Sequence, residues 1–174
     1  LGGSDEETLA DAKLRAAAEL KSQDRLVTAE DFEHQARQSP GVLIRRAKAL
    51  PLAHPRFPGA CIPGAVTVVV VPDAEGEAPA PSEETLRAVC HHLDRRRLLT
   101  TELFVVGPKY REIEVEAELV VAADADLAEV KQAVDAALLT YFHPLRGGET
   151  GTGWEFGKDG FVSRVTQLLL SVAG

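Results

Sequence analysis

The feature that most constrains the fold is a valine-rich run from Ala65 to Val71, which is followed by Pro72. Valine is β-branched, and β-branched side chains favour an extended backbone. Because apolar residues occupy both faces of the strand that they predict, other parts of the chain must cover both faces. Proline cannot continue the ladder of hydrogen bonds, so we expect the strand to end at Pro72. The run therefore predicts a buried strand.

Helix caps and the spacing of apolar residues predict further elements on both sides of this strand. The predicted helices cover residues 4–20, 28–38, 82–97, 126–142 and 161–172, and the predicted strands cover residues 42–50, 102–106 and 111–122. The β-branched content of the last helix leaves a strand as the alternative there. Residues 64–143 thus contain β-α-β followed by β-α, a ferredoxin-like split pattern without its last strand. The missing edge can come from residues 42–50 or from residues beyond 174.

These elements predict an α+β fold, in which an N-terminal helical arm precedes a ferredoxin-like two-layer α/β sandwich that lacks its last strand. We expect the arm to cover residues 1–40 and the sandwich domain to cover residues 41–174, incomplete at its C-terminus. The arm carries a thin apolar stripe that includes Leu9 and Leu20 and that needs a partner. The chain has no methionine and begins with Leu1. We therefore expect it to be a segment of a longer polypeptide.

Within the strand predicted over residues 111–122, acidic and apolar side chains alternate from residue 112 to residue 119. The apolar side chains point one way and the acidic ones point the other, because successive residues of a strand face opposite sides. The acidic face carries Glu112, Glu114, Glu116 and Glu118. Side chains on one strand face lie about 7 Å apart, too far for all four carboxylates to share an ion. The pattern predicts a strand with one solvated face, or a sheet surface that awaits a basic partner.

Composition excludes several classes of function. The chain has 19 basic and 27 acidic residues and a net charge of −8, which argues against nucleic-acid binding. No apolar run approaches the roughly 20 residues of a membrane span.

Cys61 and Cys90 match no metal-site spacing and are too few for a disulfide framework, so a reduced, intracellular site of assembly is expected. His91 and His92 point about 100° apart on a helix, and we expect both at the surface rather than on a metal.

A glycine-rich loop, defined here as residues 143–159, holds the only tryptophan of the chain. A phosphate-binding P-loop needs a glycine five residues before its Gly-Lys pair and a serine or threonine after it. Thr152 and Asp159 stand at those two positions around Gly157 and Lys158. The loop therefore predicts a structured turn, in which Trp154 and Phe156 pack against the body of the protein. We expect no cofactor and no metal.

Five stretches, in order along the chain, resemble baseplate J-like proteins, which are wedge components of contractile phage tails and related injection machines. They cover residues 2–13, 24–32, 40–49, 63–72 and 143–157. The second stretch is similar to the family segment R-A-V-T-x-x-D-Y/F, with Leu26 and Phe32 where alanine and tyrosine are usual. The first of the two most specific stretches is Pro63 to Pro72. The second comprises His143, Pro144, Leu145, Gly147, Gly148, Gly153, Trp154, Glu155, Phe156 and Gly157.

The resemblance implies a structural subunit without catalytic residues. Such subunits join into wedges, surround the central hub and spike, and change their arrangement when the sheath contracts. The implied partners are other wedge subunits, copies of related J-like proteins, and the hub, spike and sheath proteins. Assembly in the bacterial cytoplasm would precede incorporation into a virion or a tail-like particle. The expected interface residues are Leu9, Leu20, Phe32, Glu112, Glu114, Glu116 and Glu118.

Two other functions stay open at this point. A ferredoxin-like small-molecule-binding or regulatory domain predicts a closed pocket near residues 147–157. An enzyme would need an acid, base or nucleophile with a perturbed pKa in a cleft, and Glu149 and His143 are the candidates.

Overall fold

The computed structural model describes residues 25–122, 125–158 and 162–172 of the chain. The described helices are α1 (Ala29–Arg37), α2 (Glu83–Asp94), α3 (Leu127–Phe142) and α4 (Val162–Leu170), and the strands are β1 (Ile44–Pro51), β2 (Ala65–Pro72) and β3 (Glu102–Val106). These residues form two compact units. The first holds residues 25–73 and 80–108, and the second holds residues 74–79 and 109–172. The predicted α+β class is confirmed by helices that accompany an open, three-stranded sheet.

Strand β2 lies in the middle of the sheet, whose order is β1-β2-β3. It runs antiparallel to β1, with Ala49 opposite Val68. It runs parallel to β3, with Val66 opposite Leu103. A parallel pair needs a long crossover, and α2 forms it between β2 and β3. Val68 and Val70 are fully buried, so the buried strand predicted from the valine-rich run is confirmed.

Helices α1 and α2 pack with the sheet into one apolar core. Phe32 and Ala36 come from α1, and Val89 and Leu93 come from α2. A spacing of four residues places each pair on one face of its helix. The buried side chains of Phe32, Val89 and Leu93 each contribute about 1.5–3 kcal/mol relative to an exposed position. The core is therefore the main source of stability in the first unit.

The start of α1 is fixed by a reciprocal cap. The side-chain hydroxyl of Thr28 accepts a hydrogen bond from the Asp31 N–H at 3.2 Å. The Asp31 carboxylate accepts bonds from the N–H groups of Thr28, at 2.8 Å, and Val27, at 3.1 Å. Burial by itself would raise the pKa of Asp31, but these bonds and the nearby His34 outweigh it and hold the pKa below its ordinary value. The carboxylate thus satisfies backbone donors that the helix itself leaves without partners.

Helix α1 is also joined to β1 by a polar contact. The Glu33 carboxylate accepts a hydrogen bond from the Ala49 N–H at 3.2 Å and lies 3.0 Å from the ammonium group of Lys48. This part of the predicted arm consequently belongs to the same unit as the sheet. The predicted helix over residues 4–20, with Leu9 and Leu20, lies outside the described residues. The boundary between arm and sandwich stays a prediction.

The strand predicted over residues 111–122 is wrong. These residues form neither helix nor strand, and residues 109–120 are all exposed. A strand exists only where a neighbouring backbone receives its hydrogen bonds. No backbone hydrogen bond joins residues 111–121 to the rest of the described chain. Strands β2 and β3 are consequently direct neighbours, whereas a split pattern places a third strand between them.

The second unit contains α3 and α4. Asp126 caps α3, since its carboxylate accepts a hydrogen bond from the Ala128 N–H at 2.7 Å. Both helices leave apolar side chains in solvent, among them Leu139, which is 57% exposed, and Leu170, which is 81% exposed. Helix α4 confirms the helix predicted over residues 161–172 and excludes the alternative strand over Val162–Leu170. Within the described residues, the second unit is less well buried than the first.

Candidate functional site

The glycine-rich loop folds back onto the end of α3, which closes with His143 as its C-cap. The Gly147 N–H donates a hydrogen bond to the carbonyl oxygen of His143 at 2.8 Å. The next N–H, that of Gly148, donates to the carbonyl oxygen of Tyr141 at 2.7 Å. The Gly153 N–H donates to the carbonyl oxygen of Gly147 at 2.9 Å. The first two bonds occupy carbonyl groups at the end of α3, which the last turn of a helix leaves without partners, and the third closes the loop on itself.

Several of the loop glycines are required by backbone geometry. A Cβ atom placed on Gly147 would lie 2.6 Å from the carbonyl oxygen of His143 and 2.7 Å from that of Thr140, and it would also meet the carbonyl oxygen of Tyr141. Gly148 has a φ angle of +79° and Gly153 one of +101°, which side chains other than glycine rarely adopt. The glycines therefore allow the chain to pass close to the helix end.

Three aromatic rings hold the loop against α3, and we call them the aromatic cluster: Tyr141, Phe142 and Trp154. The Trp154 ring centroid lies 5.3 Å from that of Tyr141 and 5.6 Å from that of Phe142. Such edge-on and tilted pairs contribute about 0.5–1.5 kcal/mol beyond the area they bury. The Trp154 indole N–H donates to the carbonyl oxygen of Lys158 at 3.0 Å. One side chain thus joins the helix end to the far side of the loop.

The loop borders a small, open depression of about 50 Å³. Its lining comprises Gly148, Glu149, Thr150, Gly153, Trp154, Glu155 and Lys158. Sites for small molecules usually enclose about 300–1,000 Å³, so this depression is too small to take up a metabolite. The carboxylate of Glu149 lies 3.2 Å from the guanidinium of Arg164. His143 accepts a hydrogen bond from the Leu145 N–H at 3.1 Å through Nδ1, so both candidate catalytic side chains contribute to local geometry.

The predicted interface residues occupy different environments. Leu9 and Leu20 lie outside the described residues. Phe32 is 3% exposed and belongs to the core of the first unit. The four glutamates are exposed, and they belong to what we call the acidic segment, residues 111–119. The second unit thus carries Glu112, Glu114, Glu116 and Glu118, together with the aromatic cluster and the described part of the loop.

One polar contact in the first unit was not predicted from the sequence. Gln35 is buried, and its side-chain oxygen lies 3.1 Å from Nε2 of His92. His92 is half-buried, so the expected surface position holds only for His91. The bond joins α1 to α2 within the core. The helical spacing of Gln35 from Phe32 places both on the buried face of α1, but it does not identify His92 as the partner.

The remaining candidate side chains are the two cysteines, and both are free thiols. Cys61 is exposed and Cys90 is half-buried. Burial raises the pKa of the Cys90 thiol, and the negative charge of Asp94 raises it further against the opposing effect of Arg97. Within the residues that the structure describes, no three metal-binding side chains come together. None of the described helices is both long and apolar enough to cross a bilayer.

Comparison with known proteins finds likeness among solved structures. No protein-family model matches the chain, and no curated protein matches it. Among solved structures, the chain is similar to a chain in the six-fold symmetrised cryo-EM structure of the anti-feeding prophage (AFP) baseplate. The match has a TM-score of 0.62 and 20% sequence identity, and it covers 98% of this chain and 36% of that chain. Our chain thus spans about a third of the length of the chain that it matches, and the two share a fold.

Proposed function

We propose that the chain is a structural subunit of a phage-tail-like baseplate, the assembly at the base of a contractile injection machine. The observation that carries the proposal is the likeness to a baseplate chain over 98% of the sequence. The five sequence stretches that resemble baseplate J-like proteins support it independently, because they were identified from residues alone. We accordingly propose that the chain belongs to that family and that it acts in the wedge.

The role we propose is assembly rather than catalysis. Its partners would be neighbouring wedge subunits, copies of related J-like proteins, the hub and spike, and the sheath. The exposed apolar side chains of α3 and α4 support this role, because burying such surface drives most protein association. The subunit would assemble in the bacterial cytoplasm and then remain in the finished particle.

Deletion of the gene in the source organism tests the proposal. We expect sheathed particles to disappear from the deletion strain and to return when the gene is supplied in trans. Quantitative mass spectrometry of the restored particles should find the polypeptide in a fixed ratio to their other baseplate proteins. Intact, contractile particles from the deletion strain, or particles without this polypeptide, would refute the proposal.

Cross-linking distinguishes the wedge from other positions in the particle. Lys109, Lys131 and Lys158 are exposed and offer amine groups for a lysine-reactive reagent. We expect their cross-links to reach other wedge subunits and further copies of J-like proteins. Cross-links that reach only tube proteins would contradict the wedge position while leaving a structural role in the particle.

A further inference from the structure

We propose that the acidic segment, residues 111–119, pairs with a basic strand from another polypeptide, which joins it by backbone hydrogen bonds. The segment combines a backbone without partners in the described chain, a row of half-exposed apolar side chains and a row of glutamates. The inference stands apart from the baseplate proposal, because it rests on these features alone.

The backbone of the segment is the first part of the evidence. No backbone hydrogen bond joins residues 111–119 to any other residue that the structure describes. The peptide groups of a strand without a neighbouring strand are free to pair with a strand from another chain. The added backbone hydrogen bonds then supply much of the binding affinity. The strict alternation of glutamate and apolar residues over positions 112–119 shows that the sequence suits a strand with two different faces. Within the part of the chain that the structure describes, no strand pairs with the segment.

The apolar row gives the second part of the evidence. Ile113 is 52% exposed, Val115 is 36% exposed and Leu119 is 44% exposed. Isolated exposed apolar residues are common, but here they recur at alternate positions and would share one face of a strand. An incoming strand with branched apolar residues at its own alternate positions would cover this row. Cross-strand pairs of this kind stabilise a sheet.

The acidic row identifies the charge of the partner. Among the described residues, no basic side chain forms an ion pair with Glu112, Glu114, Glu116 or Glu118. A second copy of the segment would place glutamates opposite glutamates, and like charges directly across a strand pair are destabilising. A strand with lysine or arginine at alternate positions would place opposite charges there. The occupant we propose is therefore a basic, amphipathic strand and not a second copy of this chain.

Hydrogen exchange with a synthetic peptide tests the inference on the whole chain. The probe is a capped nine-residue peptide that alternates lysine and valine, and the control probe replaces each lysine with glutamate. In the chain alone, we expect fast exchange of the amides of residues 111–119. At saturating lysine–valine peptide, we expect their exchange to slow at least tenfold, and we expect no change with the control probe. A third peptide that alternates lysine and glycine should bind at least tenfold more weakly, because it cannot cover the apolar row.

Matched charge variants locate the binding. The double variant Glu114→Lys with Glu116→Lys should weaken binding of the lysine–valine peptide at least tenfold. The control double variant, Glu30→Lys with Glu84→Lys, changes the net charge equally at two exposed positions of the first unit and should weaken binding less than threefold. Equal weakening in both would show attraction to overall charge and would overturn the inference. Peptide binding that does not protect the amides of residues 111–119 from exchange would also overturn it. Protection in the chain alone that grows with protein concentration would show pairing between copies and would overturn it as well.

Discussion

At the scale of single residues, Gly147 has no room for a side chain. A Cβ atom there would meet three carbonyl oxygens at the end of α3, and backbone cannot yield as a flexible side chain can. We expect Gly147→Ala to destabilise the second unit by about 3 kcal/mol, as overpacking does in a well-packed core. Trp154 is the only tryptophan and lies in this loop, so urea unfolding followed by its fluorescence measures the effect.

Gly157→Ala is the matched control. Gly157 has a φ angle of +71°, but no atom lies within 4 Å of the added Cβ position. We expect a loss of about 1 kcal/mol from the left-handed backbone alone. Equal losses in the two variants would show that the close packing at Gly147 is absent in solution.

Asp31 makes the stability of the first unit depend on pH. Its pKa is lowered in the folded chain, so its contribution is complete above the ordinary aspartate pKa of about 3.9 and is lost as the pH falls through the folded-state pKa. We expect Asp31→Asn to lower the free energy of unfolding by about 0.5–1 kcal/mol at pH 7, because charged acceptors bind backbone donors at a helix start more strongly than neutral ones. The difference from the original chain should shrink below about pH 4.

Urea unfolding at pH 7 and pH 3, with the exchange of α1 amides as the readout, measures this difference. The control is Asp135→Asn, at an exposed aspartate within α3. We expect little change from it at either pH. A loss for Asp31→Asn that is the same at both pH values would contradict a contribution from the carboxylate charge.

At the scale of elements, α1 depends on Phe32 for its position on the sheet. The side chain is 3% exposed and lies in the same core as the buried residues of β2. Truncation leaves a cavity and removes apolar contact, so we expect Phe32→Ala to cost about 3–5 kcal/mol. Phe57→Ala is the control, because Phe57 is 56% exposed, and we expect it to cost less than about 1 kcal/mol. Chemical denaturation followed by circular dichroism compares the two variants. A small loss for Phe32→Ala would mean that α1 does not pack as described.

The elements also show which parts of the fold can be predicted from sequence. Strand β2 was predictable because valine on both faces requires burial whatever the neighbours are. Helix α1 was predictable because its cap is made by Thr28 and Asp31, three residues apart. The strand over residues 111–122 was not predictable in the same way. Alternation determines which side chains share a face, but a strand also needs a neighbouring backbone, and no local pattern reveals whether one is present.

The same distinction applies to the candidate site. The glycines and Trp154 marked the loop, since rare backbone angles and a single large aromatic ring stand out in a sequence. The close approach of Gly147 to the end of α3 was hidden, because it depends on how the loop returns to the helix. The contact between Gln35 and His92 was hidden as well, since 57 positions separate the two residues.

At the scale of the whole molecule, the two units differ in how much apolar surface they bury. All but three of the buried apolar residues that the structure describes belong to the first unit, and the exceptions are Pro79, Val134 and Leu145. Since burial of apolar surface is the main favourable contribution to folding, we expect the second unit to unfold at a lower urea concentration than the first. Fluorescence of Trp154 follows the second unit, and exchange of β2 amides follows the first. Coincident transitions by the two probes would indicate one cooperative unit and contradict the expectation.

A partner should reduce the difference between the two units. A ligand that binds only the folded state stabilises it. The gain in the free energy of unfolding grows with the logarithm of the ratio of ligand concentration to dissociation constant. The basic strand proposed for the acidic segment would therefore move the Trp154 transition to higher urea and leave the β2 transition in place. At a peptide concentration one hundred times the dissociation constant, the expected gain in the second unit is about 2.7 kcal/mol. An equal shift in both transitions would show that the peptide does not stabilise the second unit specifically. No shift would show that the segment does not bind the peptide.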